Sequence, residues 1–160
     1  REPTKAIAFA DSFIGTEYEQ SLWILNSAII AYGRLGQIKA AHDRVRTFIE
    51  NGGVPNVATY NALFECASEG GGFAEYAPLI MSDMSSRDLK PDSRTKKYLT
   101  VAAMSASAPD REMSEELLKK LPADADSFQP SPADLGDDEH DFDASSIGFD
   151  DDFDDDDHLM

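Results

Sequence analysis

Apolar residues recur along the first two-thirds of the chain with the spacing of amphipathic helices. One set follows the i, i+3, i+4, i+7 pattern of a helix face packed on a core: Leu25, Ala28, Ile29 and Tyr32. The same pattern returns at Tyr60, Leu63, Phe64 and Ala67. A second apolar stripe follows each set, over 38–49 and over 73–84, after a break at Gly36 or at glycines 70–72. The pattern predicts two helix–turn–helix units.

The two units are copies of one repeat. Leu25-Asn26 recurs as Tyr60-Asn61, 35 residues later, and the closing Pro55-Asn56 recurs as Pro91-Asp92, 36 residues later. This shift predicts one inserted residue near 82–86. Repeats of this length are typical of stacked helical hairpins. The units therefore span 22–56 and 57–92.

Weaker units flank these two. Residues 93–122 predict a degenerate third unit, with a first helix from about Thr95 to Ala106 and a second helix capped by Asp110. Residues 1–21 predict the second helix of a partial preceding unit, with its apolar face at Ala6, Phe9 and Phe13.

The second helix of unit 57–92 departs from the pattern at two positions. Pro78 removes a backbone hydrogen bond, so this helix is expected to be kinked, irregular or started late. Tyr76 also replaces the small residue that Ala41 supplies to the helix contact in the preceding unit. We therefore expect looser packing in this unit.

The units resemble the pentatricopeptide repeat family. The resemblance lies in segment 57–63 (VATYNAL), the closing segment 89–92 (LKPD) and segment 26–36 of the preceding unit. It covers about residues 5–121. The tetratricopeptide repeat, with a period of 34 and a different Trp, Gly and Pro pattern, is the second choice of family. The resemblance implies an all-α fold: a short α-solenoid of helix–turn–helix repeats.

The same resemblance implies that each repeat reads one base of single-stranded RNA. The base-selecting residues are then an asparagine near the start of the first helix and the last residue of the unit. They form a first pair, Asn26 with Asn56, and a second pair, Asn61 with Asp92. Both pairs are expected to favour pyrimidines, and the second pair uracil. An alternative is that the asparagines only hydrogen-bond neighbouring helices.

The resemblance also assigns neighbouring positions. Trp23 and Ala58 occupy the place that sandwiches a base ring, where Trp23 offers a large stacking face and Ala58 a small one. Lys97 replaces the asparagine in the third unit, where it is a candidate phosphate contact.

Charge divides the chain into two parts. The net charge is -17, yet residues 124–160 hold 15 acidic residues and no Lys or Arg, which leaves a net charge of -2 for residues 1–123. We expect 123–160 to be a disordered acidic tail. Its aromatic residues favour docking on a basic protein surface; the alternatives are RNA mimicry and a solubilising role. The units at 22–56, 57–92 and 93–121 carry +2, -4 and +2, so they lack a continuous basic stripe.

Other classes of protein find little support in the sequence. The lone Cys66 excludes an internal disulfide or a Cys-rich zinc site, and it is expected to be a packed thiol rather than a nucleophile. His42 lacks a second ligand at i+4, no cofactor motif is present, and no apolar stretch suits membrane insertion. We expect a non-enzymatic organellar protein that binds RNA or belongs to a ribonucleoprotein assembly, in the mitochondrion or alternatively the chloroplast. The alternative function is a protein–protein scaffold without RNA contact.

Overall fold

Seven helices make up the part of the chain that the computed structural model describes, residues 2–123 and 125. They are α1 (Pro3–Asp11), α2 (Leu22–Arg34), α3 (Ile38–Glu50), α4 (Val57–Gly70), α5 (Phe73–Ser86), α6 (Ser93–Ala103) and α7 (Ala108–Lys120). The same residues contain no strand, which confirms the predicted all-α class. The predicted acidic tail lies outside the described residues, apart from Ala123 and Ala125.

The helices associate in consecutive pairs, α2 with α3, α4 with α5 and α6 with α7. The leading members α2, α4 and α6, called the first helices below, also pack against one another in chain order. Helix α7 packs against α5, and α3 packs against α4. Because each first helix contacts the next one, residues on equivalent turns of α2, α4 and α6 lie in neighbouring positions on a repeat-like array.

One continuous core fills the space between α2 and α7. It is built from the two predicted apolar stripes of each unit, with Ile29, Phe64, Phe73, Ile80 and Leu99 fully buried. Small residues let α2 and α4 approach closely: a Cβ built on Gly33 of α2 would lie 3.0 Å from Cys66 Cα of α4. At the end of α4, a Cβ built on Gly70 would lie 2.8 Å from the Cα of Gly36, in the turn after α2. A smaller cluster of Ala10, Ile24 and Ala28 joins α1 to α2.

Side-chain caps set the starts of α4 and α6. The Asn56 side chain accepts a hydrogen bond from the Thr59 backbone N–H, and the Thr59 hydroxyl accepts one from the Asn56 N–H. Asp92 and Thr95 form the same reciprocal capping box before α6. The predicted start of α6 at Thr95 is therefore two residues late, and the helix ends at Ala103 rather than at Ala106.

Helix α7 begins earlier than the sequence predicted. Asp110 was expected to cap it, but Ser107 is the residue before the helix and Asp110 lies in the first turn. Pro109 explains the difference, because proline is well tolerated in the first turn, where its missing N–H has no helical partner. The Asp110 carboxylate instead accepts a hydrogen bond from the Ala74 N–H at 2.9 Å, which joins α7 to the start of α5.

Helix α5 continues through Pro78 without interruption. It begins at Phe73, as the apolar stripe indicates, so the expectation of a late start is wrong. Pro78 costs the helix only the bond to the Ala74 carbonyl, near the amino end. The small residue at the core contact is Ala77, which is fully buried, while Tyr76 is partly exposed and lies against the His42 ring. Ala77, one residue further along α5, therefore supplies the small side chain at the helix contact in place of Tyr76.

The amino-terminal helix is shorter than its apolar stripe. It ends at Asp11, before Phe13, because the next residues form turns that continue to Gln20. Arg44 of α3 ties this end down, with its guanidinium 3.3 Å from both the Ala10 carbonyl oxygen and an Asp11 carboxylate oxygen. None of the helices in the described residues is long and apolar enough to span a bilayer.

Candidate functional site

The sequence-predicted site residues all lie on the first helices or directly before them. Trp23 and Asn26 lie on α2, Ala58 and Asn61 on α4, and Lys97 on α6. Asn56 caps α4 and Asp92 caps α6. Because α2, α4 and α6 pack in sequence, each asparagine lies on the helix that precedes its partner cap.

The second pair is joined by a buried hydrogen-bond network. The Asn61 amide nitrogen donates to Asp92 Oδ1 at 3.0 Å, and the Thr95 hydroxyl donates to Asn61 Oδ1 at 2.7 Å. Asn61 is only 4% exposed, and Asp92 and Thr95 are also buried. The network links α4 to the amino end of α6, and it uses one amide hydrogen and one oxygen lone pair of Asn61.

The first pair lacks an equivalent network. Asn56 caps α4, and its Oδ1 accepts from the Thr59 N–H at 3.1 Å and from the Thr59 hydroxyl at 3.2 Å. Asn26 Oδ1 is buried and has no hydrogen-bond partner within the described residues. Since a buried carbonyl oxygen without a donor loses its hydration uncompensated, Asn26 Oδ1 is an acceptor that the described residues leave unsatisfied.

The positions beside the pairs differ in what they expose. Trp23 is 43% exposed, which leaves part of this residue on the surface of α2. Ala58 is partly buried and Lys97 is exposed on α6. The structure therefore presents an aromatic surface beside Asn26, a methyl group beside Asn61, and an ammonium group at the end of the array.

Two carboxylates lie on α4, the middle one of the three first helices. Glu65 of α4 accepts a hydrogen bond from the Tyr98 hydroxyl of α6 at 2.8 Å, and Glu69 is exposed one turn further along α4. Partial burial and the Glu65 carboxylate raise the pKa of Tyr98. The positive side chains Arg34 and Lys97 lie on the flanking helices α2 and α6. The charge of the first helices therefore alternates rather than forming one basic stripe.

Two threonines that the repeat pattern does not single out organise the pairs. Thr59 and Thr95 are fully buried, although their hydroxyls suggest exposure. Each stands three residues after an Asn or Asp that follows a proline, and this spacing is the signature of a reciprocal cap. That signal predicts the caps, but it does not predict the hydrogen bond from Thr95 to the preceding helix.

Cys66 is part of the core rather than of this site. Its side chain is buried where α4 meets α2, with its Cα 3.0 Å from a Cβ built on Gly33. Burial, with Glu69 and Glu65 nearby, raises the pKa of the thiol to about 12. Across residues 2–123 and 125, no three His, Cys, Asp or Glu side chains converge in a way that suits a metal ion.

Comparison with known proteins identifies no relative of this chain. No protein-family model matches the sequence, and no curated protein and no solved structure matches it. The function is therefore argued from the repeat, the geometry of the two pairs and the chemistry of the residues around them.

Proposed function

We propose that this chain is a non-enzymatic, pentatricopeptide-like α-solenoid that binds single-stranded RNA along its first helices. It acts within a larger ribonucleoprotein assembly of an organelle, the mitochondrion or alternatively the chloroplast. The fold family and the organelle rest on the repeat resemblance. The packing of α2, α4 and α6 in chain order supports the solenoid, since tandem helical hairpins stack in this way.

The observation that carries the proposal is the contact between the two members of the second pair. The resemblance assigns Asn61 and Asp92 a shared base, although 31 residues separate them, and their side chains are joined by a 3.0 Å hydrogen bond. A base edge needs donors and acceptors at one place. Asn61 keeps one amide hydrogen and one lone pair beyond its network, which is the directional chemistry that such an edge requires.

The first pair supports the same proposal through a different feature. Asn26 Oδ1 lacks a donor within the described residues, and Trp23 exposes its ring one helical turn before it. A base stacked on Trp23 would contribute about 1 to 3 kcal/mol, and the N3–H of uracil or the exocyclic amine of cytosine would be a donor for Asn26 Oδ1. Residue Asn26 then gains a partner only when ligand is bound.

Electrostatics predicts weak binding with a shallow salt dependence. The number of phosphate contacts sets how steeply the binding constant falls as the salt concentration rises. The first helices expose few positive side chains, with Lys97 and Arg34 the clearest. Glu65 and Glu69 of α4 lower the affinity further. An assembly that supplies additional contacts would offset this weakness.

Fluorescence anisotropy with labelled 12-nucleotide oligouridine and oligocytidine tests the proposal. Trp23→Ala removes the stacking surface and is expected to weaken binding roughly 5- to 100-fold. Leu79→Ala is a matched control, since Leu79 is also a large exposed side chain, 51% exposed against 43% for Trp23, but lies on α5. It should leave the affinity unchanged.

Two results would count against RNA binding by the first helices. One is an absence of binding by the unmodified chain at about 50 mM salt, where phosphate contacts are least screened. The other is an equal loss of affinity in Trp23→Ala and Leu79→Ala, because a general effect on the fold would then explain both. Thermal unfolding of each variant separates a lost contact from a lost fold.

A protein–protein scaffold is the second candidate function. It is favoured by two exposed apolar side chains at the carboxyl end of α6, Val101 at 52% in the last turn and Met104 at 79% directly after the helix. The acidic residues after 123 offer a second contact to a basic protein surface. Purification from the native source with and without ribonuclease distinguishes the candidates, because scaffold partners stay bound after ribonuclease and depend on Val101 and Met104.

A further inference from the structure

The two pairs differ in two hydrogen bonds to the asparagine, one from Asn61 to Asp92 and one from Thr95 to Asn61, although their capping boxes are the same. In the second pair the Thr95 hydroxyl is 2.7 Å from Asn61 Oδ1 and 3.2 Å from Asp92 Oδ1. In the first pair the Thr59 hydroxyl is 3.2 Å from Asn56 Oδ1, and it makes no bond to Asn26, whose Oδ1 has no partner within the described residues. Of the two capping-box threonines, only Thr95 bonds to the preceding first helix.

The Thr95 hydroxyl has one proton to donate, and its surroundings determine where that proton goes. The Asp92 backbone N–H donates to Thr95 Oγ1 at 3.1 Å, so this oxygen already accepts a hydrogen bond. The nearer acceptor for its proton is Asn61 Oδ1, by 0.5 Å. The hydroxyl therefore holds the oxygen end of the Asn61 amide toward the start of α6.

The Asp92 carboxylate completes the arrangement from the other side. An ionised carboxylate accepts hydrogen bonds but cannot donate one, so only the amino end of Asn61 can face it. Thr95 and Asp92 together leave the Asn61 amide one orientation. Asn56 has an amide in place of the carboxylate, and its cap leaves Asn26 unconstrained.

We propose that Thr95 is a positioning residue that fixes the orientation of the Asn61 amide, and thereby sets which base the second pair selects. This inference rests on the proposed function. It assigns a specificity role to a buried threonine that never touches the ligand. The first pair, in which Thr59 does not reach Asn26, selects less strictly between bases.

Matched substitutions at the two threonines test this role. Thr95→Val and Thr59→Val each remove the hydroxyl of a capping box, so both should lower the melting temperature. Thr95→Val should lower it more, because it also leaves the buried Asn61 Oδ1 without a donor. Only Thr95→Val should lower the ratio of affinities for oligouridine and oligocytidine, by roughly 2- to 10-fold, the size of one hydrogen bond. Thr95→Ser keeps the hydroxyl, so it should keep the affinity ratio of the unmodified chain.

Nuclear magnetic resonance of the Asn61 side chain gives a readout that does not need RNA. Its amide resonances, assigned by their loss in Asn61→Ala, should shift and exchange faster with water in Thr95→Val. They should stay close to their original positions in Thr59→Val and Thr95→Ser. A structural role in capping alone would leave Thr95→Val and Thr59→Val indistinguishable at this amide.

The outcomes separate this inference from the proposed function. If the unmodified chain binds neither oligonucleotide, the proposed function fails, and the Asn61 resonances alone decide whether Thr95 orients the amide. If the chain binds RNA and the affinity ratio is the same in Thr95→Val as in the unmodified chain, the specificity role is overturned. Equal changes in the ratio for Thr95→Val and Thr59→Val would also overturn it.

Discussion

Replacing the two repeat asparagines with alanine should have very different effects on stability. Asn61 and Asn26 occupy equivalent turns of α4 and α2, so the side chain removed is the same. Asn61 contributes hydrogen bonds to Asp92 and Thr95, whereas Asn26 Oδ1 is buried without a partner in the described residues. The substitution therefore breaks a network at one site and removes an uncompensated acceptor at the other.

The expected magnitudes follow from these contacts. A hydrogen bond to a charged carboxylate contributes about 1.5 to 3 kcal/mol and a neutral one about 1 kcal/mol. In Asn61→Ala both partners stay buried, with only the bonds between Asp92 and Thr95 left to them. Because bonds in one network do not add fully, we expect Asn61→Ala to lower the free energy of unfolding by about 2 to 3 kcal/mol. Asn26→Ala should change it by less than about 0.5 kcal/mol.

Thermal and urea unfolding, followed by far-ultraviolet circular dichroism, measure the difference directly. For a domain of this size the loss in Asn61→Ala corresponds to a fall in melting temperature of roughly 6 to 15 °C. Equal melting temperatures for the two variants, or a larger fall for Asn26→Ala, would refute the reasoning. Such a result would mean that the Asn61–Asp92 contact does not stabilise the packing of α4 on α6.

Three further predictions concern packing and titration. Gly70→Ala should lower the free energy of unfolding by about 1 to 3 kcal/mol, because the added Cβ would meet Gly36 backbone atoms, and this outweighs alanine's higher helix propensity. Urea unfolding measures the change, and an unchanged midpoint would contradict this contact. Cys66 should resist iodoacetamide at pH 8 until urea unfolds the chain, because burial raises its pKa to about 12; rapid labelling of the folded chain, seen by mass spectrometry, would show that the thiol is accessible. Burial and carboxylate partners raise the pKa of both Tyr60 and Tyr98, so folding stability should fall as the pH rises above about 10, the ordinary tyrosine value. Melting temperatures between pH 8 and 11 should fall less in the double variant Tyr60→Phe, Tyr98→Phe, and an identical fall would sink this explanation.

Helical periodicity predicted most of the fold because burial follows the apolar pattern closely. Leu25, Ala28 and Ile29 on α2 are buried as expected, and so are Tyr60, Leu63 and Phe64 on α4. The wrong predictions concern helix ends, where the same residue type can either cap its own helix or bond to a neighbouring one. Asp110 has the chemistry of a cap but bonds the start of α5, because Pro109 and Ser107 already set the start of α7.

The sequence places the candidate residues along the repeat, but it does not show which of their side chains contact one another. Repeat spacing locates Asn61 and Asp92, and the resemblance groups them, yet the sequence does not show that their side chains bond each other or that Thr95 joins them. That contact depends on how far α6 lies from α4, a distance set by packing across the whole core. The sequence equally gives no sign that Asn26 Oδ1 lacks a partner within the described residues, since the equivalent asparagine one repeat later, Asn61, has two partners.

Photocrosslinking to single-stranded RNA tests the central claim most directly, because it reports where on the protein the RNA lies. The chain is irradiated with an oligonucleotide that contains 4-thiouridine, and the crosslinked peptides are identified by mass spectrometry. RNA binding by the first helices predicts crosslinks in the peptides of α2 and α6 that contain Trp23 and Lys97, the exposed members of the site. Crosslinks confined to α3, α5 or α7, or no crosslinks at all, would contradict it.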